Sequence, residues 1–402
     1  MPEKPTLLLV SQSYAPRENQ KKLWALAEHF DLVCVTTNEV KNMGMVVRLS
    51  DCQEERPFKL IGLDPVGDPN STTKFVFLGL EKVIREHPAD IILVETEPWA
   101  LLRWQTWLLQ RKHQPKALFV EYSAEDLDRT GWKGALLHQI YRAAIATSDF
   151  VVAITERGAA LFRNRGAGKR LLVNPQLGID EQLFSPALPG KKNTLRETLG
   201  IARGEFVIGF AGRYVEEKGV NDLIAAVELA RSKITSSPIK LLMLGRGPLG
   251  QELIELQKER SWLQLLPTRR HHEMAEFMQA LDLFVLPSKT LRAGGVTWAE
   301  QLGHVLIEAT ACGTPSLGST CGEIPNVIAS TEAIFPEGNV SALAERLIYW
   351  ITHPAELTEL GKRQRARTIA NYSNAALARK LSDCLKGRLA AEKRSVLWST
   401  RT

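Results

Sequence analysis

Residues 286–321 read LPSKTLRAGGVTWAEQLGHVLIEATACGTPSLGSTC. Leu286 ends a short apolar run. Glu300 and Glu308 then stand eight positions apart, with Gly303 between them and the helix-forming run HVLIEATA from His304. Cys312-Gly-Thr-Pro315 stops that helix, and a strand follows near Ser316–Gly318. Strand, glycine turn, helix and strand in succession belong to a parallel α/β sheet. A helix start offers free N–H groups and a positive dipole end to phosphate. Carboxylates offer acceptors to sugar hydroxyls. The stretch therefore suits a ligand that is both phosphorylated and hydroxyl-rich. Two acids near a helix are also common on plain solvent faces, so the surrounding chain has to decide.

Outward from this stretch, strands and helices alternate. Upstream in the second half the order is strand Phe206–Ala211, helix Gly219–Arg231, strand Ile239–Leu244, helix Leu249–Arg260, strand Leu263–Leu266, helix His272–Ala280 and strand Leu283–Leu286. The first half reads as strands Thr6–Ser11, Asp31–Thr36, Ile91–Glu95, Ala117–Glu121, Phe150–Ile154 and Leu171–Val173. Between them lie helices Lys21–Phe30, Phe75–His87, Ala100–Lys112, Ala135–Thr147 and Arg157–Arg165. Asn174-Pro-Gln-Leu-Gly breaks the alternation, and an irregular region continues through Pro186, Pro189 and Gly190. Helices Gly338–Thr352 and Ala375–Lys393 close the chain. Continuous apolar strands between amphipathic helices predict parallel sheets covered on both faces. The fold class is α/β, with two Rossmann-like doubly wound domains over 1–180 and 181–374 that face a cleft. Residues 375–402 form a last helix and a basic tail.

The 402 residues exceed one ordinary core, and 44% apolar with 24% charged residues is normal for a folded protein. Five scattered cysteines, Cys34, Cys52, Cys312, Cys321 and Cys384, contain no C-x-x-C pair. That argues against a disulfide framework or structural zinc and for a reducing compartment. No signal-like N-terminus and no membrane-length apolar run stand out, so a cytoplasmic protein is expected. The net charge of +6 resides in Gly361–Thr402, which alone carries +9. A solvated basic helix accounts for that excess, and nucleic acid is not an expected partner.

Candidate chemistry follows strand ends, where ligands sit in open α/β sheets. Gly212 opens a turn after Phe206–Ala211, and Arg213 and Lys218 place two cations beside a helix start, which suits a diphosphate. Gly245, in Leu244-Gly-Arg-Gly-Pro, lets a ligand lie against backbone after the next strand. In the first half, Glu95, Glu97 and Trp99 follow one strand, and Glu121, Ser123 and Glu125 follow another. Both clusters suit either acceptor contact or helix capping. Trp99, Trp104 and Trp107 with Arg103, Arg111 and Lys112 form an aromatic and basic helix, read first as a helix packed on its sheet. His271 and His272 lack companions at metal-ligand spacing and read as helix-start residues. No G-x-S-x-G, Walker or H-E-x-x-H motif occurs.

Taken together, GRYVEEKG (212–219), LGRGP (244–248), LDLFVLPS (281–288), Glu-x7-Glu with EATACGTP, and GEIPNVI (322–328) resemble the retaining GT-B glycosyltransferases of family 4, the glycosyl transferases group 1. The resemblance is strong over Phe206–Ile328 and fainter in the first half. It implies a GT-B fold and transfer of a sugar from a nucleoside-diphosphate sugar, of UDP or GDP type, to a saccharide or lipid-linked acceptor. It implies no metal or other cofactor. The second domain would hold the donor and the first the acceptor, with the final helix crossing back to the first. By the same resemblance Arg213 and Lys218 would hold the diphosphate and Glu300 would face the transferred sugar. The backbone of Leu302, Gly303 and His304 would meet sugar and phosphate, and Glu308 the ribose hydroxyls. Gly212 and Gly245 would line the donor, and Glu97, Ser123 and Glu125 the acceptor side.

The chain departs from the pattern in three places. Leu291-Arg-Ala-Gly-Gly lengthens the loop before Glu300. Ala15-Pro-Arg-Glu-Asn-Gln replaces the usual glycine pair after the first strand. The first domain's usual histidine is not evident in Glu121-Tyr-Ser-Ala-Glu-Asp. The N-terminal loop, the Trp-rich helix and the basic tail are compatible with peripheral contact at the inner membrane face. Two alternatives use the same residues: a GT-B-shaped nucleotide-sugar epimerase, and a non-catalytic nucleotide-sugar or membrane-binding protein.

Overall fold

The computed structural model describes residues 4–42, 45–49, 55–68, 71, 73–127, 131–234, 237–293 and 296–399. Cys52, Gly294, Gly295 and the last three residues lie outside that set. The chain divides into two units, Met1–Gly178 with Asn374–Thr402, and Ile179–Ser373.

The first unit is built on seven parallel strands. Their spatial order is Leu171–Val173, Phe150–Ala153, Leu118–Ser123, Ile91–Glu95, Thr6–Ser11, Asp31–Thr37 and Lys59–Leu63. The strand order reverses between Thr6–Ser11 and Ile91–Glu95, which pair in register Leu7↔Ile91 through Ser11↔Glu95. Alternate residues of these strands enter two cores, as a period of two requires. Leu7, Leu9, Leu93 and Val120 meet Leu23, Leu26 and Phe30, together with Ala378, Leu381 and Leu385 of the final helix Asn374–Ser399. Leu8, Val10, Ile92 and Phe119 meet Phe77, Leu80, Ile84 and Leu102 on the other face. The final helix therefore belongs to the first unit, where it covers the sheet beside helix Lys21–Ala27.

The second unit repeats the plan with six parallel strands: Leu263–Leu266, Ile239–Leu244, Phe206–Ala211, Leu283–Leu286, Ser316–Ser319 and Ile334–Phe335. Its order reverses between Phe206–Ala211 and Leu283–Leu286. Both units thus have the dinucleotide-fold topology, in which ligands bind beyond the carboxyl ends of the strands flanking the reversal.

Several elements differ from the sequence reading. Phe75–His87 is not one helix. Phe75–Phe77 is a strand paired antiparallel with Pro65–Gly67, and the helix runs only over Leu80–Glu86. Gly79, at φ +86°, turns the chain between them, and the Gln105 amide accepts from Phe77 N and donates to Phe77 O at the strand's free edge. The edge strand Lys59–Leu63 has one neighbour and a half-exposed pattern, so its apolar signal is weak. Helix Lys191–Thr198, inside the region read as irregular, buries none of its residues and shows no apolar stripe. Helix Pro354–Tyr372, with Pro354 at its first turn, buries Leu357 and Leu360. It carries part of the basic excess: Lys362 pairs with Glu359 and Arg363 with Glu332. Cys34, Cys312, Cys321 and Cys384 are free thiols. No helix of the described residues is long and apolar enough to cross a membrane.

Candidate functional site

The strand reversal of the second unit collects residues from both of its flanking loops. After Phe206–Ala211 the backbone runs against the loop that follows Ile239–Leu244. Gly212 N donates to Leu244 O, and Tyr214 N donates to Arg246 O at 2.9 Å. A Cβ on Gly245 would lie 1.9 Å from Gly212 O, so only glycine permits that approach. Arg213 remains two-thirds exposed, its guanidinium 3.4 Å from Glu217. A short 3₁₀ turn, Glu216–Lys218, then delivers Lys218 to the strand end. Gly219 follows at φ +63°, and a Cβ there would lie 2.0 Å from Pro287 O. The start of helix Val220–Lys233 is thereby fixed against the loop after the other flanking strand.

That second loop supplies the acid. Lys218 Nζ lies 2.5 Å from Glu300 Oε2, and Ser288 Oγ donates to the same oxygen at 2.7 Å. Both bonds fall on Oε2, and Oε1 has no hydrogen-bond partner among the described residues. The backbone of Glu300 is held from behind. Its carbonyl accepts from Glu323 N at 3.0 Å, and its N–H points to Cys321 Sγ at 3.4 Å. Burial pushes the Cys321 thiol up to about 11, so it stays neutral and adds no charge beside the carboxylate. The lengthened loop is a hairpin, Leu291–Ala293 paired with Val296–Trp298. It brings the Trp298 ring to 5.3 Å from Lys218 Nζ.

Leu302 is buried, and its side chain serves the core. Gly303 takes φ +65° and caps helix His304–Ala311, with His304 exposed at its first turn. Glu308 sits one turn later with 8% of its surface exposed. His271 Nε2 lies 3.4 Å from Glu308 Oε1, and the imidazole packs edge-on against Phe184. The structure therefore brings Gly212, Lys218, Gly245, Glu300 and Gly303 onto loops at the carboxyl end of one sheet, with Glu308 on the helix that Gly303 caps. Ser288, Trp298 and His271 join them. Ser288 closes the LDLFVLPS motif, and the helix-start reading of His271, though right, left its contact with Glu308 unseen.

In the first unit the two acidic clusters divide. Ser123 Oγ donates to Glu97 Oε2 at 2.6 Å and accepts from Glu125 N at 3.1 Å. Glu125 Oε1 in turn accepts from Leu127 N. Burial pushes the Glu97 carboxyl up to about 7, with Glu125 and Glu121 adding to the rise and Ser123 opposing it. Glu95 and Glu121 are interior instead. Glu95 accepts from Lys22, from Tyr14 Oη at 2.8 Å and from Gln176 at 3.0 Å. Glu121 is fully buried against Arg103 Nε and Ser148 Oγ, each at 3.2 Å. Desolvation outweighs those partners and raises its pKa. The reading of Glu95 and Glu121 as either ligand-facing or helix-capping is thus corrected: a buried cation holds each. Arg103 is one of those cations, lying over the Trp104 ring at 4.2 Å, so the Trp-rich helix Leu101–His113 is packed on its sheet. The loop that replaces the glycine pair is tied down, with Tyr14 and Ala15 fully buried and Gln20 Nε2 donating to Tyr14 O. Among the described residues no group of three or more His, Cys, Asp or Glu could hold a metal.

Two Rossmann-like units define the GT-B class. The likeness to solved structures agrees: the chain matches the crystal structure of Anabaena HepE in complex with UDP at a TM-score of 0.67 and 16% identity, over 95% of this chain and 100% of that one. Residues 191–367, inside the second unit, match the family model described as glycosyl transferases group 1. Over 212 residues the chain is 31% identical to the GDP-mannose-dependent monoacylated α-(1-6)-phosphatidylinositol monomannoside mannosyltransferase of Corynebacterium glutamicum, covering 52% of this chain and 54% of the relative. Over 338 residues it is 28% identical to D-inositol 3-phosphate glycosyltransferase of Rhodococcus erythropolis, covering 79% of this chain and 72% of the relative. The chain therefore spans about half the length of the first relative.

Proposed function

We propose that the chain is a retaining glycosyltransferase that moves a sugar from a UDP- or GDP-sugar to a hydroxyl of a saccharide or lipid-linked acceptor. The observation that carries the reading is the convergence of Lys218 and Glu300 from the two loops flanking the second unit's strand reversal. Arg213 lies in the first of those loops, and Glu308 on the helix that follows the second. The second unit is the donor side. Lys218 and Arg213 oppose the charge that grows on the leaving diphosphate, where preorganised cations contribute most. The N–H groups at Gly303 and His304 add donors to a phosphate oxygen, and Glu308 accepts from the ribose hydroxyls.

The first unit is the acceptor side, with Glu97, Ser123 and Glu125 as hydroxyl partners. In the proposed retaining step the acceptor oxygen bonds to the anomeric carbon on the face from which the diphosphate departs. The bond from that carbon to the phosphate oxygen breaks, and the departing oxygen takes the acceptor's proton. A residue in the place of the family's histidine is then not required. The names of the relatives, a mannosyltransferase and an inositol phosphate glycosyltransferase, support a sugar donor with a polyol-type acceptor.

A melting screen against UDP-, GDP- and ADP-sugars tests the donor. A true donor at 100 times its Kd should raise the midpoint by about 5–10 °C. Lys218→Ala should lose that rise and reduce kcat/KM by about 100- to 1000-fold. Full transfer by the Lys218→Ala protein would sink the site assignment.

A further inference from the structure

The paired strands Leu291–Ala293 and Val296–Trp298 are fixed at their outer ends. On the entering side Lys289 N donates to Glu217 O at 2.8 Å, and Thr290 N and Oγ1 both donate to Glu337 Oε2. Lys289 Nζ also lies 3.6 Å from Asp222. On the leaving side the Glu300 backbone is held by Glu323 and backed by Gly322, whose added Cβ would lie 2.0 Å from Glu300 O. Trp298 is the last residue of the return strand, paired with Leu291 and two positions before Glu300. It is half-buried and rests on the second unit's core. The indole therefore has one supported side and a fixed place beside the Lys218–Glu300 pair.

We infer that Trp298 forms a wall of the subsite for the transferred sugar, packing on the apolar C–H face of the sugar ring while Glu300 Oε1 accepts from its hydroxyls. A sugar presents one apolar face and a hydroxyl rim. A rigid aromatic ring next to an acceptor oxygen without a partner complements both. The ring also lies 5.3 Å from the Lys218 ammonium, which ties its place to the cation of the same subsite. The sugar accepted is then a pyranose with an unbroken C–H face towards the hairpin. This inference rests on the reading of the second unit as a nucleotide-sugar site.

The test separates sugar from nucleotide. Binding of UDP and GDP alone, and of UDP-glucose and GDP-mannose, is measured on the full chain by calorimetry for the parent protein and for Trp298→Leu and Trp298→Phe. Trp298→Leu should weaken the sugar-bearing nucleotide by about 3- to 10-fold and leave the matching nucleoside diphosphate within about 2-fold. Trp298→Phe should recover most of the difference. Equal weakening of both ligands would mean that Trp298 acts through Lys218 and not on the sugar, which overturns the inference. No change with either ligand overturns it as well. A parent protein that binds none of the four ligands instead overturns the nucleotide-sugar reading, and this inference with it.

Discussion

Glu97 is the residue whose chemistry depends most on its surroundings. Its carboxyl, ordinarily near 4.5, is pushed up to about 7 by burial and by neighbouring Glu125 and Glu121. The folded state therefore keeps a proton that the unfolded chain has released. Stability falls as pH rises from about 4.5 to about 7 and is level above that. Glu97→Gln keeps an acceptor for Ser123 and removes the titration. Its midpoint should match the parent at pH 4 and exceed it by a few degrees at pH 8, on the order of 1–3 kcal/mol. Melting curves across that range decide the matter, and an offset independent of pH would rule out the carboxyl as its source. The sequence placed Glu97 and Glu95 alike after one strand, and nothing local separates them. Glu95 turns inward because Lys22 and Tyr14 arrive from a helix and a loop more than seventy residues away in sequence.

Among elements, the loop Thr320–Glu323 shows how a short turn sets the position of a distant acid. Gly322 at φ +58° lets the Glu300 carbonyl approach where a Cβ would stand 2.0 Å away. Gly322→Ala should cost about 1–3 kcal/mol in strain and displace Glu300, with transfer lost more severely than folding. Gly338, at φ +70° with nothing within 4 Å of an added Cβ, is the control. Gly338→Ala should show a similar strain cost with transfer unchanged. Circular dichroism melts and transfer rates on the two variants make the comparison, and equal loss of transfer in both would remove the positional role of Gly322. Most strands and helices of both units were legible because each is a local run of apolar residues with its own period. Phe75–Phe77 was not, since three aromatic and β-branched residues fit the start of a helix pattern as well as a strand. Only pairing with Pro65–Gly67 decides it.

For the whole molecule, the final helix joins the two ends of the chain's path within one core. Ala378, Leu381 and Leu385 are at most 2% exposed and pack with Leu23, Leu26 and Phe30. Ending the chain at Ser373 removes them, and each lost leucine withdraws about 2 kcal/mol of burial. The first unit should then melt at least about 10 °C lower, while the second, ending at Ser373, keeps its midpoint. Limited proteolysis with mass analysis of the fragments reads the two units separately. A first unit as resistant as in the parent protein would contradict the packing role.

The sequence by itself determined the α/β class, the doubling of the fold, the strand-end loops that carry Arg213, Lys218 and Glu300, and the helix that carries Glu308. These follow from apolar runs, glycine turns and helix starts, all of which are properties of neighbours along the chain. Tertiary structure alone decided which acids are held inside by Lys22 and Arg103. It also decided that Lys218 meets Glu300 and Ser288, and that the added loop is a hairpin bringing Trp298 to that pair. Periodicity tells a side chain which way to face. What it faces is set by elements far away in sequence, whose register and approach come from packing.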